Sequence, residues 1–542
     1  MAGAASLWDQ ITSPTTLPRA FWQWSDSGFQ RRTYGELVEE GRRVAEGLRR
    51  RGVGPGSIVP AVITNGPSAI AGVLGIWFAG GTLASLPIIA RGMSIPAYVS
   101  QLEKLCSLLG SSYLLAEERF AAFMPADSDA DLEIVGYNGL IDTADAAEIQ
   151  PPPMDETVFI QFSSGTTGDP RGVELTGLAI DAHLTLLAER VGIDPERDIG
   201  YTWLPLSHDM GFFGCGFLAW YSGMEGIIST PERFLQSPRT WFDDCAEFGA
   251  TVTAGPPAAL DVAARLEALK PGEKSLALRL CLVGAEMVGW EVLAKAARAF
   301  EHRGLTIDKF TPAYGLAEAT LAVTVEDLNL APAFVDVDPE ALANGQLQEV
   351  DEGDPGARRL VSAGSPLAGV QVRTEGQVGE ILIESPSLAT GYFGQPSVTN
   401  ERFQGGEFRT GDLGFLHEGR LFVAGRNDDL LIVGGRNVYT QDLEQELSTD
   451  SSLKTGNCAL VDLPVDGRPR IALVAEVAQD PPDVQELANR LRMAAMERSG
   501  LPIDDFMFLT QGAFPKTPSG KVQRYRCREL LGTPEAGVRL TL

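Results

Sequence analysis

Residues 161–175 read QFSSGTTGDPRGVEL and follow the apolar run Val158, Phe159, Ile160. Small residues give the backbone conformations that larger side chains forbid. Ser163, Ser164, Thr166 and Thr167 add hydroxyls among Gly165 and Gly168, and Arg171 adds a positive charge. A glycine-rich loop after a strand can turn several N–H groups toward a phosphate. A flexible surface turn has the same composition, so the loop alone does not decide. It is not a Walker A loop, which requires G-x-x-x-x-G-K-[ST], because it runs out as Gly168-Asp169-Pro170-Arg171-Gly172. Gly520-Lys521 has Pro515 where the first glycine of that pattern belongs. The dinucleotide pattern G-x-G-x-x-G does not fit either.

Working outward, 542 residues are too many for one ordinary core, so at least two domains are expected. A hydrophobic share of 44% with 21% charged residues is that of a globular chain. Lys and Arg number 44 against 72 Asp and Glu, a formal charge of -28 that repels phosphate backbones and anionic membranes. No nucleic-acid partner is therefore expected. Cysteines stand at 106, 215, 245, 281, 458 and 527 without a CxxC pair, which argues against a zinc site or a disulfide framework. With no basic, apolar leader in MAGAASLWDQITSPTT, a cytoplasmic location is the expectation.

Residues 68–90 carry no charge over a membrane-spanning length until Ala90. Asn65-Gly66-Pro67 before the segment and Gly80-Gly81 inside it divide this run. With the preceding SIVPAVI it reads as strand, helix, strand, the unit of a parallel sheet covered on both faces. Buried core, not a membrane span, is the expectation. Helical stretches such as TYGELVEEGRRVAEGLRRRG alternate with apolar runs such as TVTAGPP and LRLCLVGAE. Beyond about residue 365 shorter strand signals take over, as in GVQVRT, GEILIES and GRLFVAG. The fold class is α/β: a large domain over 1–425 with parallel and mixed sheets, flanking helices and a β-rich subdomain. A small mobile α+β domain over 426–542 follows, the boundary lying at Arg426.

Four further stretches join the opening loop: TPAYGLAEATLAV (311–323), FRTGDLGFL (408–416), VAGRNDDLLIVGGRNVYTQDLE (423–444) and PKTPSGKVQR (515–524). In this order the five resemble the adenylate-forming superfamily of acyl-CoA synthetases, luciferases and adenylation domains. WLPLSHDMGFFG (203–214), PAYGLAEATL and GRNVYTQDLE are most similar to the fatty acyl-AMP ligases. Residues 331–365 resemble an extra segment that those ligases carry.

The resemblance implies ATP and Mg²⁺ as cofactors and assigns roles. Ser163, Ser164, Gly165, Thr166, Thr167, Gly168 and Arg171 would hold the β- and γ-phosphates, Arg171 replacing the lysine usual in relatives. Gly284, Ala285, Glu286, Tyr314 and Gly315 would line the adenine pocket, while Asp412 would accept the ribose hydroxyls with Arg426 assisting. Glu318, at the start of a helix-like stretch, would coordinate Mg²⁺ with Thr166. Lys521 would swing in to contact the carboxylate and α-phosphate, and Asp428 would sit at the hinge. His208 would stand near the acyl pocket, as a gate or as a polar wall. Each has a plainer reading as well: helix-start glutamate, buried tyrosine, turn-capping aspartate, solvated lysine.

Trp203, Leu204, Met210, Phe212 and Phe213 suit a pocket for a hydrophobic acid and equally suit core. The implied reaction is ATP-dependent formation of an acyl-adenylate, the acyl group passing to a phosphopantetheine thiol. Segment 331–365 favours an acyl carrier protein as acceptor. Asp428 is the residue common in CoA ligases, so an acyl-CoA ligase is the alternative. A non-adenylating acyltransferase or a silent binding protein on the same fold is a second alternative. For docking an acidic carrier, KVQRYRCREL (521–530) is the candidate basic patch, with a solvated helix start as the plain reading.

Overall fold

The computed structural model describes residues 6–66, 68–89, 93–118, 120, 132–142, 145–162, 170–427, 430–433, 436–465, 468–478, 483–499, 501–516, 522–532 and 538–541. Its large part is built on two sheets whose central strands are parallel. One has seven strands, with Thr157–Phe162 beside Thr82–Leu86, then Ile58–Val62, Tyr113–Ala116 and Glu133–Gly136. The other has nine, with Phe310–Gly315, Leu280–Val283, Val252–Gly255, Ile199–Thr202, Glu225–Ile228 and Ala20–Ser25 running parallel in that order. Strands buried on both faces need no polar side, which explains their continuous apolar runs.

The charge-free stretch is core. Ile58–Val62 and Thr82–Leu86 pair in parallel, and the helix Ala69–Phe78 connects them. Glycines let it press against the helix Tyr34–Arg50: a Cβ on its Gly75 would come within 2.3 Å of Val44 Cγ1, and one on Gly41 of the facing helix within 2.7 Å of the Leu74 Cβ. Among the described residues no helix is long and apolar enough to cross a membrane. All six cysteines are free.

The expected β-rich subdomain is a five-stranded antiparallel sheet of Gln371–Thr374, Gly379–Glu384, Phe403–Gln404, Glu407–His417 and Arg420–Arg426. Segment 331–365 contributes the hairpin of Phe334–Val337 and Arg358–Val361. That hairpin shares a core with Phe415, Phe422 and Tyr439, so it reaches the first residues of the tail. Beyond it, Leu453–Val465, Arg468–Val477, Asp505–Leu509 and Val538–Thr541 form a four-stranded sheet with a core on each face.

One element departs from expectation. Glu318 does not start a helix but sits in the single 3₁₀ turn Ala317–Ala319. Buried Thr320 follows with φ of 66°, and the chain returns as the strand Ala322–Val325, antiparallel to Phe310–Gly315. Pairing across the sheet overrides the helix propensity of Ala-Glu-Ala.

Candidate active site

A cavity of about 1310 Å³ opens where the parallel strands of both sheets end at their carboxyl termini. Crevices at that edge are where open α/β sheets bind ligands. Gln161 and Phe162 from one sheet face it, as do Ala254, Val283 and Gly315 from the other. Residues of the subdomain and the tail close the remaining side, among them Asp412, Arg426, Gln441 and Arg524.

Gly284, Ala285 and Glu286 leave the strand Leu280–Val283 and line the cavity. Ala285 takes a left-handed φ of 67°, and a Cβ on Gly284 would lie 2.9 Å from the Ala313 carbonyl oxygen. This wall is therefore drawn tight against the strand bearing Tyr314. A side chain at Gly315 would overlap the Leu321 carbonyl. The Tyr314 hydroxyl donates to Asp412 Oδ2 at 2.6 Å, and Arg426 Nε lies 3.2 Å from Asp412 Oδ1. Asp412 and Arg426 face each other across antiparallel strands, which fixes that pair by register. Desolvation, then the Asp412 charge, pushes the Tyr314 phenol above its ordinary value, so it remains the donor. Four lone-pair sites on a carboxylate leave Asp412 room for a diol as well.

Glu318, Arg171 and a residue the motifs did not single out form a second cluster. The Tyr392 hydroxyl donates to Glu318 Oε1 at 2.8 Å, and the Arg171 guanidinium lies over the Tyr392 ring, 5.6 Å from its centroid. Glu318 and Arg171 both face the cavity. Desolvation raises the Glu318 carboxyl above its usual range, while the Tyr392 hydrogen bond and the Arg426 charge oppose this.

His208 also faces the cavity, as the cap of the short helix Asp209–Gly211. Its Nδ1 is 2.6 Å from Asp209 Oδ1 and accepts the Met210 N–H. The neighbouring Gln161 amide donates to the Ser207 carbonyl at 2.9 Å. Of the five apolar residues that suited either pocket or core, only Met210 lines the cavity. Trp203 stacks on Phe234 at 3.7 Å, and Phe212 and Phe213 pack on Phe159. Pro87, Ile88, Phe162, Leu187 and Leu321 supply the apolar wall instead. Ser163, Ser164, Gly165, Thr166, Thr167 and Gly168 lie outside the described residues, as do Asp428 and Lys521.

The sequence profile of the AMP-binding enzyme family matches residues 18–393, more than half of the chain. The chain belongs to the AMP-binding enzyme family. It is 29% identical to the medium-chain-fatty-acid–acyl-carrier-protein ligase JamA of Moorena producens, over 92% of this chain and 89% of that one. With a long-chain-fatty-acid–AMP ligase of Mycolicibacterium smegmatis it shares 30% identity over 73% of this chain and 72% of the other. The fold matches a structure from a study of fatty acyl-adenylate ligases of E. coli and L. pneumophila, at a TM-score of 0.88 and 23% identity over 98% of both chains. The fatty acyl-adenylate ligase of L. pneumophila in complex with acyl adenylate and pyrophosphate superposes at 0.73, with 26% identity over 99% and 98% of the chains.

An AMP-binding enzyme handles ATP, and the residues here can be tested against Mg²⁺. No group of three His, Cys, Asp or Glu side chains converges among the described residues. Mg²⁺ needs none, because it binds through one or two carboxylates plus phosphate oxygens and water. Glu318 fits: one oxygen is oriented by Tyr392, and the carboxylate faces a cavity large enough for a nucleotide. The basic patch fares differently. Arg524 is buried, bonded to Glu444 at 2.9 Å and to the Leu460 carbonyl, and Arg528 pairs with Asp462 at 2.6 Å. These two cations therefore already tie the helix Arg524–Leu531 to Glu444 and to the strand Leu453–Val465.

Proposed function

We propose that this AMP-binding enzyme activates a hydrophobic carboxylic acid with ATP and passes the acyl group to a phosphopantetheine thiol on an acyl carrier protein. The single observation that carries this reading is the convergence of Tyr314, Asp412, Arg426 and Glu318 on one cavity whose other wall is apolar. In the first step a carboxylate oxygen attacks the α-phosphorus, the bond to the β-phosphate oxygen breaks, and pyrophosphate leaves. Attacker and target are both anionic, so positioning and charge neutralisation carry the catalysis. Tyr314 and the 284–286 wall seat the base, and Asp412 takes the ribose hydroxyls with Arg426 beside it. Arg171 and the loop 163–168 hold the outer phosphates.

When bound by Glu318, with Thr166, Mg²⁺ supplies charge to the phosphate oxygens. Lys521 brings a mobile point charge to the acid and the α-phosphate. His208 forms a polar wall at the start of the acyl channel. In the second step the thiol sulfur attacks the acyl carbonyl carbon and AMP departs. The large domain spans 1–425 and the small one 426–542, which moves about Arg426 between the steps.

Carrier delivery is supported by the name of the Moorena relative and by segment 331–365, whose hairpin packs on Tyr439 at the start of the tail. The acyl-CoA reading rests on Asp428. Mass spectrometry of the enzyme with ATP, Mg²⁺ and a panel of hydrophobic acids, with and without CoA, tests both. The expected result is an acyl-AMP that CoA does not consume and that Lys521→Ala abolishes. Rapid acyl-CoA formation moves the assignment to the CoA ligase. No adenylate from any acid overturns the reading.

A further inference from the structure

Tyr392 reaches the site from the far side of the molecule's joints. It belongs to the two-residue strand Gly391–Tyr392, which leaves the β-rich subdomain and pairs with the strand Gly172–Thr176 of the seven-stranded sheet. The register sets Tyr392 opposite Val173, two residues after Arg171. On its other side lies the turn bearing Glu318. The chain before Tyr392 clasps that turn through its backbone: Ala389 N–H donates to the Glu318 carbonyl at 2.8 Å, and Thr320 Oγ1 donates to the Ser387 carbonyl at 2.9 Å. Ser387 Oγ in turn reaches the Ala319 carbonyl at 3.2 Å.

The clasp holds a strained conformation. Thr320 is β-branched, has no exposed surface, and takes a φ of 66°, a region that costs about 1–3 kcal/mol for such a residue. Strain of this kind persists only where the surroundings over-determine it. The ring of Tyr392 packs edge-on to Phe403 at 5.7 Å, and the Tyr392 backbone N–H donates to Thr399 Oγ1. Everything in the segment thus converges on delivering one hydroxyl to one carboxylate oxygen.

We infer that Tyr392 is a positioning residue for Glu318, aiming the carboxylate at the metal–nucleotide while its ring carries the Arg171 guanidinium on the opposite side. The inference rests on the adenylation reading above and adds a residue to it. The physical reason is that a ligating carboxylate is oriented by its outer hydrogen bonds, whose loss typically weakens metal binding by about 10–100-fold. Tyr392→Phe removes the hydroxyl alone and keeps the ring that packs on Phe403 and under Arg171.

The test is a Mn²⁺ titration followed by electron paramagnetic resonance, with the full-length protein and α,β-methylene ATP, which cannot release pyrophosphate. Tyr392→Phe is expected to weaken Mn²⁺ binding about tenfold and to leave binding of the metal-free nucleotide unchanged. Repeated in a Glu318→Gln background, the same substitution is expected to add less than about twofold, because it acts through the carboxylate. Equal losses in both backgrounds, a loss of metal-free nucleotide binding, or no loss at all would overturn the inference. The proposed function would stand in those cases if the wild-type protein still forms acyl-adenylate by mass spectrometry.

Discussion

His183 has no exposed surface in the helix Gly177–Val191, and among the described residues neither ring nitrogen has a hydrogen-bond partner. Burial lowers its pKa to about 4, the nearby Asp209 charge opposing only in part. The imidazole is therefore neutral in the folded chain, while the unfolded chain takes up a proton near pH 6.5. Its contribution to stability is complete above pH 6.5 and is lost as pH falls to about 4, roughly 3 kcal/mol as an upper bound. Urea unfolding across that window should show a shallower pH dependence for His183→Leu than for wild type. An identical slope would count against a neutral buried imidazole. Arg171 calls for a different measurement, exchange of pyrophosphate into ATP. Arg171→Lys keeps the charge and should remain within about tenfold of wild type, whereas Arg171→Ala should lose about a hundredfold or more. Neither the contact of Tyr392 with Glu318 nor the place of Gln161 at the cavity was legible, because a tyrosine in GYFG and a glutamine near the end of a strand carry no signal of their own.

At the scale of elements, the strands and helices around residues 58–86 followed from glycine punctuation and apolar runs alone. The turn at Glu318 did not. Ala317-Glu318-Ala319 favours helix locally, and only the pairing of Phe310–Gly315 with Ala322–Val325, with the clasp from Ser387 and Ala389, bends it back. The hairpin in 331–365 offers a further prediction. Arg359 forks onto Asp336 at 2.6 and 2.8 Å and lies over the Phe334 ring. That guanidinium holds the Asp336 carboxyl below its usual range. A depressed carboxyl stabilises the fold fully above the unfolded value, about pH 4, and ceases to do so as pH falls through the folded value. The stability lost in Arg359→Met should thus be about 1–2 kcal/mol at neutral pH and shrink below about pH 4. Thermal melts of both proteins from pH 7 to pH 3 would show it.

Over the whole molecule, a buried arginine reinforces the apolar contact that joins the hairpin to the tail. Arg358 donates to the Ala424 carbonyl at 2.8 Å and lies over the Tyr439 ring, 4.8 Å from its centroid. Ala424 precedes the proposed domain boundary and Tyr439 follows it, so Arg358 spans the joint. Arg358→Met should leave the cores of the large part intact and speed limited proteolysis between residues 426 and 440 several-fold. Unchanged cleavage there would mean that the joint is held elsewhere.

By itself the sequence determined the class of fold, the strand–helix–strand core around 58–86 and the family, because glycine placement, apolar periodicity and ordered motifs are local properties. It also singled out Tyr314, Asp412 and Arg426, which sit within those motifs and line the cavity. Which apolar residues make the pocket was a tertiary matter. Trp203, Phe212 and Phe213 satisfy the same pattern as a pocket wall, yet stacking on Phe234 and Phe159 takes them into the core. Likewise two arginines of the 521–530 stretch read as part of a basic patch until the fold brings Glu444 to Arg524 and Asp462 to Arg528. Tertiary structure decided these because a side chain's role depends on partners tens of positions away, and no local spacing encodes them.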